Sequence, residues 1–346
     1  MAQGILSVNR CRTWQIFVAV AMLLFVGSVS RADVPATTME AISNPRLAEI
    51  IAGRAHPQGL EDLKEMQSLT QRLSDKVMPV TVGVQVGPSQ GSGVIISKDG
   101  YVLTAAHVSA QANRDATFMM ADGRILRGKT LGLNRSMDAG LMKINEGGDF
   151  PYASLGDSNI LKEGQWCVAV GHPGGYQPDR KPVIRLGRLL VLTNSNLTTD
   201  CTLVGGDSGG PLFDFQGNVI GINSKIQESL ESNMHVPCNT FRDTWERLVK
   251  GDAWGHYEGQ KPYIGLRGEP GDDQAKVAKV AASSPAAKAG IKEGDVIVSV
   301  DDAPVKNFAA VTAAISEHQP GDKVRMRIRR NETLLELSVL ISKKNG

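Results

Sequence analysis

The sequence has little cysteine and almost no net charge. Its four cysteines form no Cys-x-x-Cys pair and no cluster with histidine, so nothing in the sequence indicates a zinc site. The formal net charge is +2, and removing Arg10, Arg12 and Arg31 near the N-terminus leaves −1. A chain with so little positive charge carries no electrostatic signature of nucleic-acid binding. The composition therefore argues against a zinc-finger protein and predicts no nucleic-acid partner.

Long apolar runs are also lacking, apart from one near the N-terminus. Arg10 and Arg12 precede an apolar stretch over residues 16–26, and small residues follow at positions 30 and 32. This order is typical of a secretory signal peptide, which we assign to residues 1–32. The alternative is a retained membrane anchor, because residues 13–30 nearly suffice to span a bilayer. In both cases we expect the rest of the chain to be exported, with a membrane contact only if the leader is retained.

The remaining chain is long enough for two or three domains. Residues 33–76 show leucines and methionine at helical spacing and form a predicted helical extension. From 77 to 250, short apolar runs alternate with glycine, aspartate and asparagine turns, which predicts antiparallel β-structure. Residues 251–262 are polar and glycine-rich and are predicted to be a linker. Residues 263–342 form a further predicted domain.

Two motifs carry the chemistry of the strand-rich region. Ser208 lies within residues 206–211 (GDSGGP), and His107 ends residues 104–107 (TAAH). A serine hydroxyl becomes a good nucleophile when a base takes its proton, and histidine suits that role near neutral pH. The glycines beside Ser208 allow a tight turn with accessible N–H groups, which could bind an oxyanion. The pattern predicts Ser208 as the nucleophile and His107 as the base.

Together these motifs resemble the chymotrypsin-fold serine peptidases, and the later part of the chain is similar to the Deg/HtrA type. The resemblance implies a mainly β fold: a trypsin-like double β-barrel followed by one α+β PDZ domain. It implies Asp138, which opens residues 138–144 (DAGLMKI), as the third catalytic residue. Asp115 and Asp122 are alternatives by position, but neither is expected to begin an apolar strand.

The same resemblance assigns further roles around Ser208. The oxyanion donors would be the N–H groups of Gly206 and Ser208. Leu203 and Ile226 would line the S1 pocket and favour a small or medium aliphatic P1 residue, although both could be core residues.

One residue departs from the family pattern. Deg/HtrA members usually carry asparagine where this chain has Asp207. In the digestive chymotrypsin-like enzymes an aspartate there pairs with an N-terminal amine released by cleavage. This sequence shows no activation site at the start of its barrel, so Asp207 is expected to order the loop with another partner.

Residues 284–297 (SPAAKAGIKEGDVI) resemble a circularly permuted PDZ domain. Tyr263, Ile264, Gly265 and Leu266 match its carboxylate-binding loop, where a peptide C-terminus would bind by strand addition. Outside the leader, Cys167, Cys201 and Cys238 are an odd number, so at most one pair can form. A disulfide between Cys201 and Cys238 and three free thiols are both compatible with the sequence.

The resemblance implies an exported serine endopeptidase of the periplasm or cell envelope. It would cleave unfolded or damaged proteins, need no cofactor or metal, and assemble as a homotrimer. The alternative from a different class is a latent or non-catalytic sensor or chaperone that binds peptides. An activating protease with one dedicated substrate would share the same motifs.

Overall fold

A computed structural model describes residues 39–226, 232–269, 271 and 273–344. The predicted signal peptide and the first residues of the helical extension lie outside these ranges. Within the described ranges, every helix is too short or too polar to span a bilayer.

Two helices form the N-terminal extension, α1 (Pro45–Ile51) and α2 (Leu60–Val77). Helix α1 begins at Pro45, and the Asn44 side chain accepts hydrogen bonds from the N–H groups of the first turn. The buried residues of α2 recur three or four positions apart, so one face packs into the core of the protein. Gly53 lies in the turn between the two helices. Its φ is +74°, and a Cβ atom there would lie 2.4 Å from the Gly164 backbone.

Six strands form the first barrel: β1 (Thr81–Val86), β2 (Ser89–Ile95), β3 (Tyr101–Ala105), β4 (Asp115–Met119), β5 (Ile125–Asn134) and β6 (Ala139–Ile144). Antiparallel pairing runs from β5 through β4, β1, β2 and β3 to β6, and β5 pairs with β6 to close the sheet. The side chains of Val82, Val84 and Phe118 are fully buried within it.

Six further strands form the second barrel: β7 (Trp166–Gly171), β8 (Val183–Leu192), β9 (Leu197–Thr199), β10 (Pro211–Phe213), β11 (Val219–Ile226) and β12 (Asn233–Pro237). They close in the order β10, β11, β12, β9, β8, β7. A single apolar cluster joins α2 to residues of both barrels, including Leu103 of β3 and Phe213 of β10. The two barrels and the N-terminal helices therefore share one core.

Short elements complete this part of the chain: α3 (Ala106–Ser109), a 3₁₀ turn (Ser158–Ile160), α4 (Cys238–Asp243), α5 (Trp245–Lys250) and β13 (Ala253–Trp254). Strand β13 lies within the predicted linker and pairs in parallel with β5. The sequence did not indicate it, because its order comes from tertiary contacts: Trp254 is buried, with the Arg247 guanidinium 4.0 Å from its ring centroid.

The last domain contains β14 (Pro262–Tyr263), β15 (Leu266–Gly268), β16 (Val277–Val280), α6 (Pro285–Lys288), β17 (Val296–Val300), β18 (Ala303–Pro304), α7 (Phe308–Ser316), β19 (Lys323–Arg330), β20 (Thr333–Leu340) and β21 (Ser342–Lys343). Its own core includes Ile264, Val324 and Met326. The prediction of a mainly β protein, with a double barrel followed by an α+β domain, is confirmed.

Candidate active site

His107 and Asp138 lie together at one end of the first barrel. His107 is on α3, directly after β3, and Asp138 directly precedes β6, which pairs with β3. His107 Nδ1 is 2.9 Å from Asp138 Oδ2, and the His107 backbone N–H donates to Asp138 Oδ1 at 3.0 Å. The Asp138 side chain is 8% exposed and that of His107 is 42% exposed. The carboxylate can therefore hold the imidazole with Nε2 directed outward.

Two other aspartates had been alternatives for this position. Contrary to the expectation, Asp115 does begin a strand, β4, because its register with β5 places it opposite Lys129. Its side chain is almost fully exposed and lies 3.8 Å from Lys129 Nζ. Asp122 bonds to Arg124 in a surface turn. Within the described residues, neither contacts His107.

The loop that carries Ser208 packs against the first barrel. A Cβ atom on Gly209 would lie 2.1 Å from Thr104 Oγ1, so only glycine fits beside the TAAH segment. The Ser208 carbonyl accepts a hydrogen bond from the Ser92 N–H at 2.8 Å. The Ser92 hydroxyl donates to the Gly206 carbonyl at 2.9 Å. These contacts place Ser208 at the seam between the barrels.

Ser224 connects Ser208 with the histidine and aspartate pair. Its hydroxyl donates to Asp138 Oδ2 at 2.5 Å, and its carbonyl accepts from Ser208 Oγ at 3.5 Å. Within the described residues, Ser208 Oγ makes no hydrogen bond to His107. Hydrogen bonds of this kind are often long or unformed in ligand-free sites and tighten when substrate binds. The sequence analysis did not identify Ser224, since nothing in its local pattern separates it from other strand serines.

The backbone conformation at Gly206 requires glycine. Gly206 has φ +95°, and a Cβ atom there would lie 2.4 Å from the His172 carbonyl oxygen. The Gly205 carbonyl accepts from the Gly174 N–H at 2.6 Å. Within the part of the chain that the structure describes, the N–H groups of Gly206 and Ser208 have no acceptor, so both are available to a bound oxyanion.

Asp207 has a partner that the sequence analysis left unidentified. Its side chain is fully buried, and Oδ2 lies 3.0 Å from Arg185 Nη2 on β8. The same oxygen accepts the Val204 N–H at 2.9 Å. Burial raises the pKa of the Asp207 carboxyl, and the Val204 N–H and the Arg185 guanidinium oppose that rise. Ion pairing across 22 residues depends on the register of β8, which no local motif reveals.

A second buried network supports the same loop from β11 and β12. The Asn223 side-chain amide donates to the Asp207 carbonyl at 3.2 Å and to the Val170 carbonyl at 3.1 Å. Its side-chain oxygen therefore faces His235 Nδ1 at 2.9 Å, and His235 Nε2 lies 2.7 Å from the Thr199 hydroxyl. Burial lowers the pKa of His235 to about 3, so this histidine is neutral.

The two residues assigned to the S1 pocket differ in environment. Leu203 is 2% exposed and packs with the second-barrel core, which includes Leu161, Cys167 and Leu212. Ile226 is 46% exposed at the end of β11, two residues beyond Ser224. Leu203 thus lies in the core of the second barrel, and Ile226 faces solvent.

The last domain has an apolar groove between β15 and α7. Its cavity of about 330 Å³ is lined by all four predicted loop residues and by Phe308, Val311 and Ile315, among others. Tyr263 ends β14, Leu266 begins β15, and Ile264 and Gly265 form the turn between them. Gly265 has φ +81°, and a Cβ atom there would lie 2.2 Å from Ser284 Cβ. Within the described residues, the N–H groups of Ile264 and Gly265 have no acceptor.

The described cysteines are all free and buried. The two sulfur atoms that approach each other belong to Cys167 and Cys201, at 3.9 Å. Cys238 Sγ instead lies 3.3 Å from the Gly156 carbonyl. Of the two alternatives left by the sequence, the structure has three free thiols.

Comparison with known proteins agrees with this division of the chain. Residues 91–222 match the trypsin-like peptidase domain family, and residues 262–341 match the PDZ domain family. The chain is 34% identical over 279 residues to a probable periplasmic serine endoprotease DegP-like of Hahella chejuensis, covering 75% of this chain and 58% of that protein. It is 31% identical over 337 residues to a protein of the same description from Pseudomonas putida GB-1, covering 91% of this chain and 69% of that protein.

The chain is also similar to solved structures. The serine endoprotease of Yersinia pestis aligns with a TM-score of 0.50 at 26% identity, covering 80% of this chain and 98% of that one. The present chain thus spans little more than half of the Hahella relative and over two thirds of the Pseudomonas relative.

Proposed function

Because the chain belongs to the family of DegP-like serine endoproteases, we propose that it is an exported endopeptidase that hydrolyses unfolded or damaged proteins through an acyl-enzyme. The observation that carries the proposal is the junction of the two barrels. There the His107–Asp138 pair of one barrel is linked through Ser224 to the Ser208 loop of the other.

In this mechanism Ser208 Oγ attacks the carbonyl carbon of the substrate, and His107 Nε2 takes its proton. Asp138 accepts from Nδ1, which fixes the tautomer and stabilises the imidazolium that forms. The imidazolium then protonates the leaving amine, and water hydrolyses the acyl-enzyme by the same steps. We expect Ser208 Oγ to exchange its bond to the Ser224 carbonyl for one to His107 when substrate binds.

The N–H groups of Gly206 and Ser208 would stabilise the oxyanion of the tetrahedral intermediate. Their lack of acceptors among the described residues supports this role. Leu203 and Ile226 would form the S1 pocket, with Ile226 in direct contact with an aliphatic P1 side chain. A substrate library varied at P1 tests this assignment, and an Ile226→Glu variant should lose its preference for aliphatic residues.

The groove between β15 and α7 would bind the C-terminus of a peptide. The N–H groups of Ile264 and Gly265, which have no acceptor among the described residues, suit its carboxylate, and the apolar wall suits its last side chain. The names of the relatives and the predicted signal peptide support a periplasmic location. We further propose a homotrimer, which sedimentation equilibrium of the protein without its leader would test.

The catalytic proposal is tested with unfolded casein and a fluorophosphonate probe. The comparison includes Ser208→Ala and, as a matched control, Ser338→Ala, an exposed serine on β20. We expect the wild type and Ser338→Ala to cleave casein and take up the probe, and Ser208→Ala to do neither.

The observation that Ser208 Oγ faces the Ser224 carbonyl rather than His107 favours a second candidate, a peptidase that rests in a latent state. Casein cleavage that appears only after addition of C-terminal peptides would support latency. Absence of labelling and cleavage with and without such peptides would refute the endopeptidase proposal and favour a peptide-binding sensor.

A further inference from the structure

Arg185 and Asp207 form a buried ion pair beneath the Ser208 loop. Arg185 Nη2 lies 3.0 Å from Asp207 Oδ2, and the two side chains are 16% and 0% exposed. An ionised carboxylate without a partner is costly in such an environment, and a neighbouring guanidinium offsets that cost. Removing one member of a buried pair leaves the other charge uncompensated. The position of Asp207 therefore depends on Arg185.

Asp207 in turn closes the turn of residues 204–207. Its Oδ2 accepts the Val204 N–H at 2.9 Å, and its own N–H donates to the Val204 carbonyl at 3.1 Å. Gly205 and Gly206 lie between these two reciprocal bonds. The geometry of the carboxylate thus sets the geometry of the two glycines.

The orientation of one peptide plane then decides whether an oxyanion can bind. In a planar trans peptide, the C=O and N–H groups point in opposite directions. The Gly205 carbonyl is held toward Gly174 by the 2.6 Å hydrogen bond, so the Gly206 N–H is directed to the opposite side. If the turn relaxed, the plane could rotate and withdraw this donor from the site.

We propose that Arg185 is a positioning residue of the oxyanion hole: it holds Asp207 beneath the loop, and Asp207 holds the turn that presents the Gly206 N–H. The positive charge that pairs with Asp207 is the Arg185 side chain of the folded barrel, so no cleavage of the chain is needed to supply it. This inference rests on the proposed function, because an oxyanion hole serves acyl transfer.

Arg188 provides a matched control on the same strand. Its guanidinium Nε lies 3.5 Å from Asp200 Oδ2, and its side chain is 43% exposed. An Arg188→Met variant therefore removes the ion pair between Arg188 of β8 and Asp200. In the part of the chain that the structure describes, no hydrogen bond or ion pair joins the Arg188 side chain to residues 204–207. Comparing it with Arg185→Met separates loss of an arginine in general from loss of the one beneath the loop.

The experiment compares four proteins: wild type, R185M, R188M and the double variant R185M/D207N. The asparagine removes the charge that R185M leaves unpaired while keeping an acceptor for the Val204 N–H. Steady-state cleavage of a fluorogenic peptide gives kcat and KM, and circular dichroism confirms folding. Hydrogen exchange of the segment 203–210 reports the order of the loop independently of activity.

We expect R185M to lower kcat by about 10²- to 10³-fold, the range found when one oxyanion donor is lost, with KM little changed. R188M should match the wild type, and R185M/D207N should recover most of the lost kcat. Exchange in the segment should accelerate in R185M and return toward the wild-type rate in the double variant.

Three results would overturn the inference: wild-type kcat in R185M, an equal loss in R188M, or no recovery in the double variant. An inactive wild type would count against the proposed function instead. In that case the exchange rates alone decide whether Arg185 orders the turn, and unchanged rates in R185M would refute it.

Discussion

His235 makes the stability of the second barrel depend on pH. Its ring is buried, with Nδ1 facing the Asn223 side-chain oxygen and Nε2 facing the Thr199 hydroxyl. Asn223 uses its amide hydrogens elsewhere, so its oxygen can only accept, and Nδ1 must carry the proton of the neutral ring. A second proton at Nε2 would place an unpaired charge in the core. This is the physical cause of the pKa of about 3, against 6.5 for a solvated histidine.

The sign and size follow from proton linkage. Below pH 6.5 the unfolded chain binds a proton at this histidine that the folded chain does not bind, so acid favours unfolding. The loss begins as pH falls through 6.5 and continues to about pH 3. Each pH unit within that window costs about 1.4 kcal/mol, so near pH 5 His235 alone removes about 2 kcal/mol.

The assay is urea unfolding of the wild type, His235→Gln and His56→Gln at several pH values between 5 and 7. His56→Gln replaces an exposed histidine and is the control. Its free energy of unfolding should depend on pH as that of the wild type does. His235→Gln should be less stable than the wild type at neutral pH. Between pH 7 and 5 its free energy of unfolding should fall by about 1 kcal/mol less per pH unit than that of the wild type. Parallel wild-type and His235→Gln curves across this range would refute the assignment of a buried neutral histidine.

Three further predictions concern separate parts of the molecule. Ser224→Ala removes the 2.5 Å hydrogen bond to Asp138 and should lower kcat roughly tenfold, about 1.4 kcal/mol, with unchanged peptide binding to the last domain; unaltered kcat would contradict the role given to this hydroxyl. Gly265→Ala places a methyl group against Ser284 at a φ of +81°. C-terminal peptides should therefore bind more weakly in fluorescence polarisation, while peptidase activity on short peptides stays at the wild-type level. Unchanged affinity would place the peptide elsewhere. Burial raises the pKa of Cys238 to about 11, so an aromatic disulfide reagent should react with this thiol only after unfolding; rapid reaction of the native protein would contradict its burial.

The fold could be predicted, and the motif residues could be proposed as the candidate site, because their signals are local. The glycines around Ser208 and the TAAH segment are short sequence patterns, and the turn residues between apolar runs mark the strands. The leucines and methionine of α2 likewise repeat at helical spacing. Arg185, Ser224 and Asn223 gave no such signal. Each acts through a partner distant in sequence that the tertiary fold brings close: Asp207 for Arg185, Asp138 for Ser224 and His235 for Asn223.

Ser92 shows how much of the site depends on contacts between the barrels. It lies on β2 between two glycines, a pattern that often marks close approach of another backbone. From there it donates through its N–H to the Ser208 carbonyl and through its hydroxyl to the Gly206 carbonyl, and it accepts the His172 N–H at 3.0 Å. The first barrel therefore supports the loop that carries Ser208 and also supplies the proposed base. Arg185 and Asn223 contact the same loop from the second barrel. Relative movement of the barrels would therefore disturb the proposed base, nucleophile and oxyanion donors together.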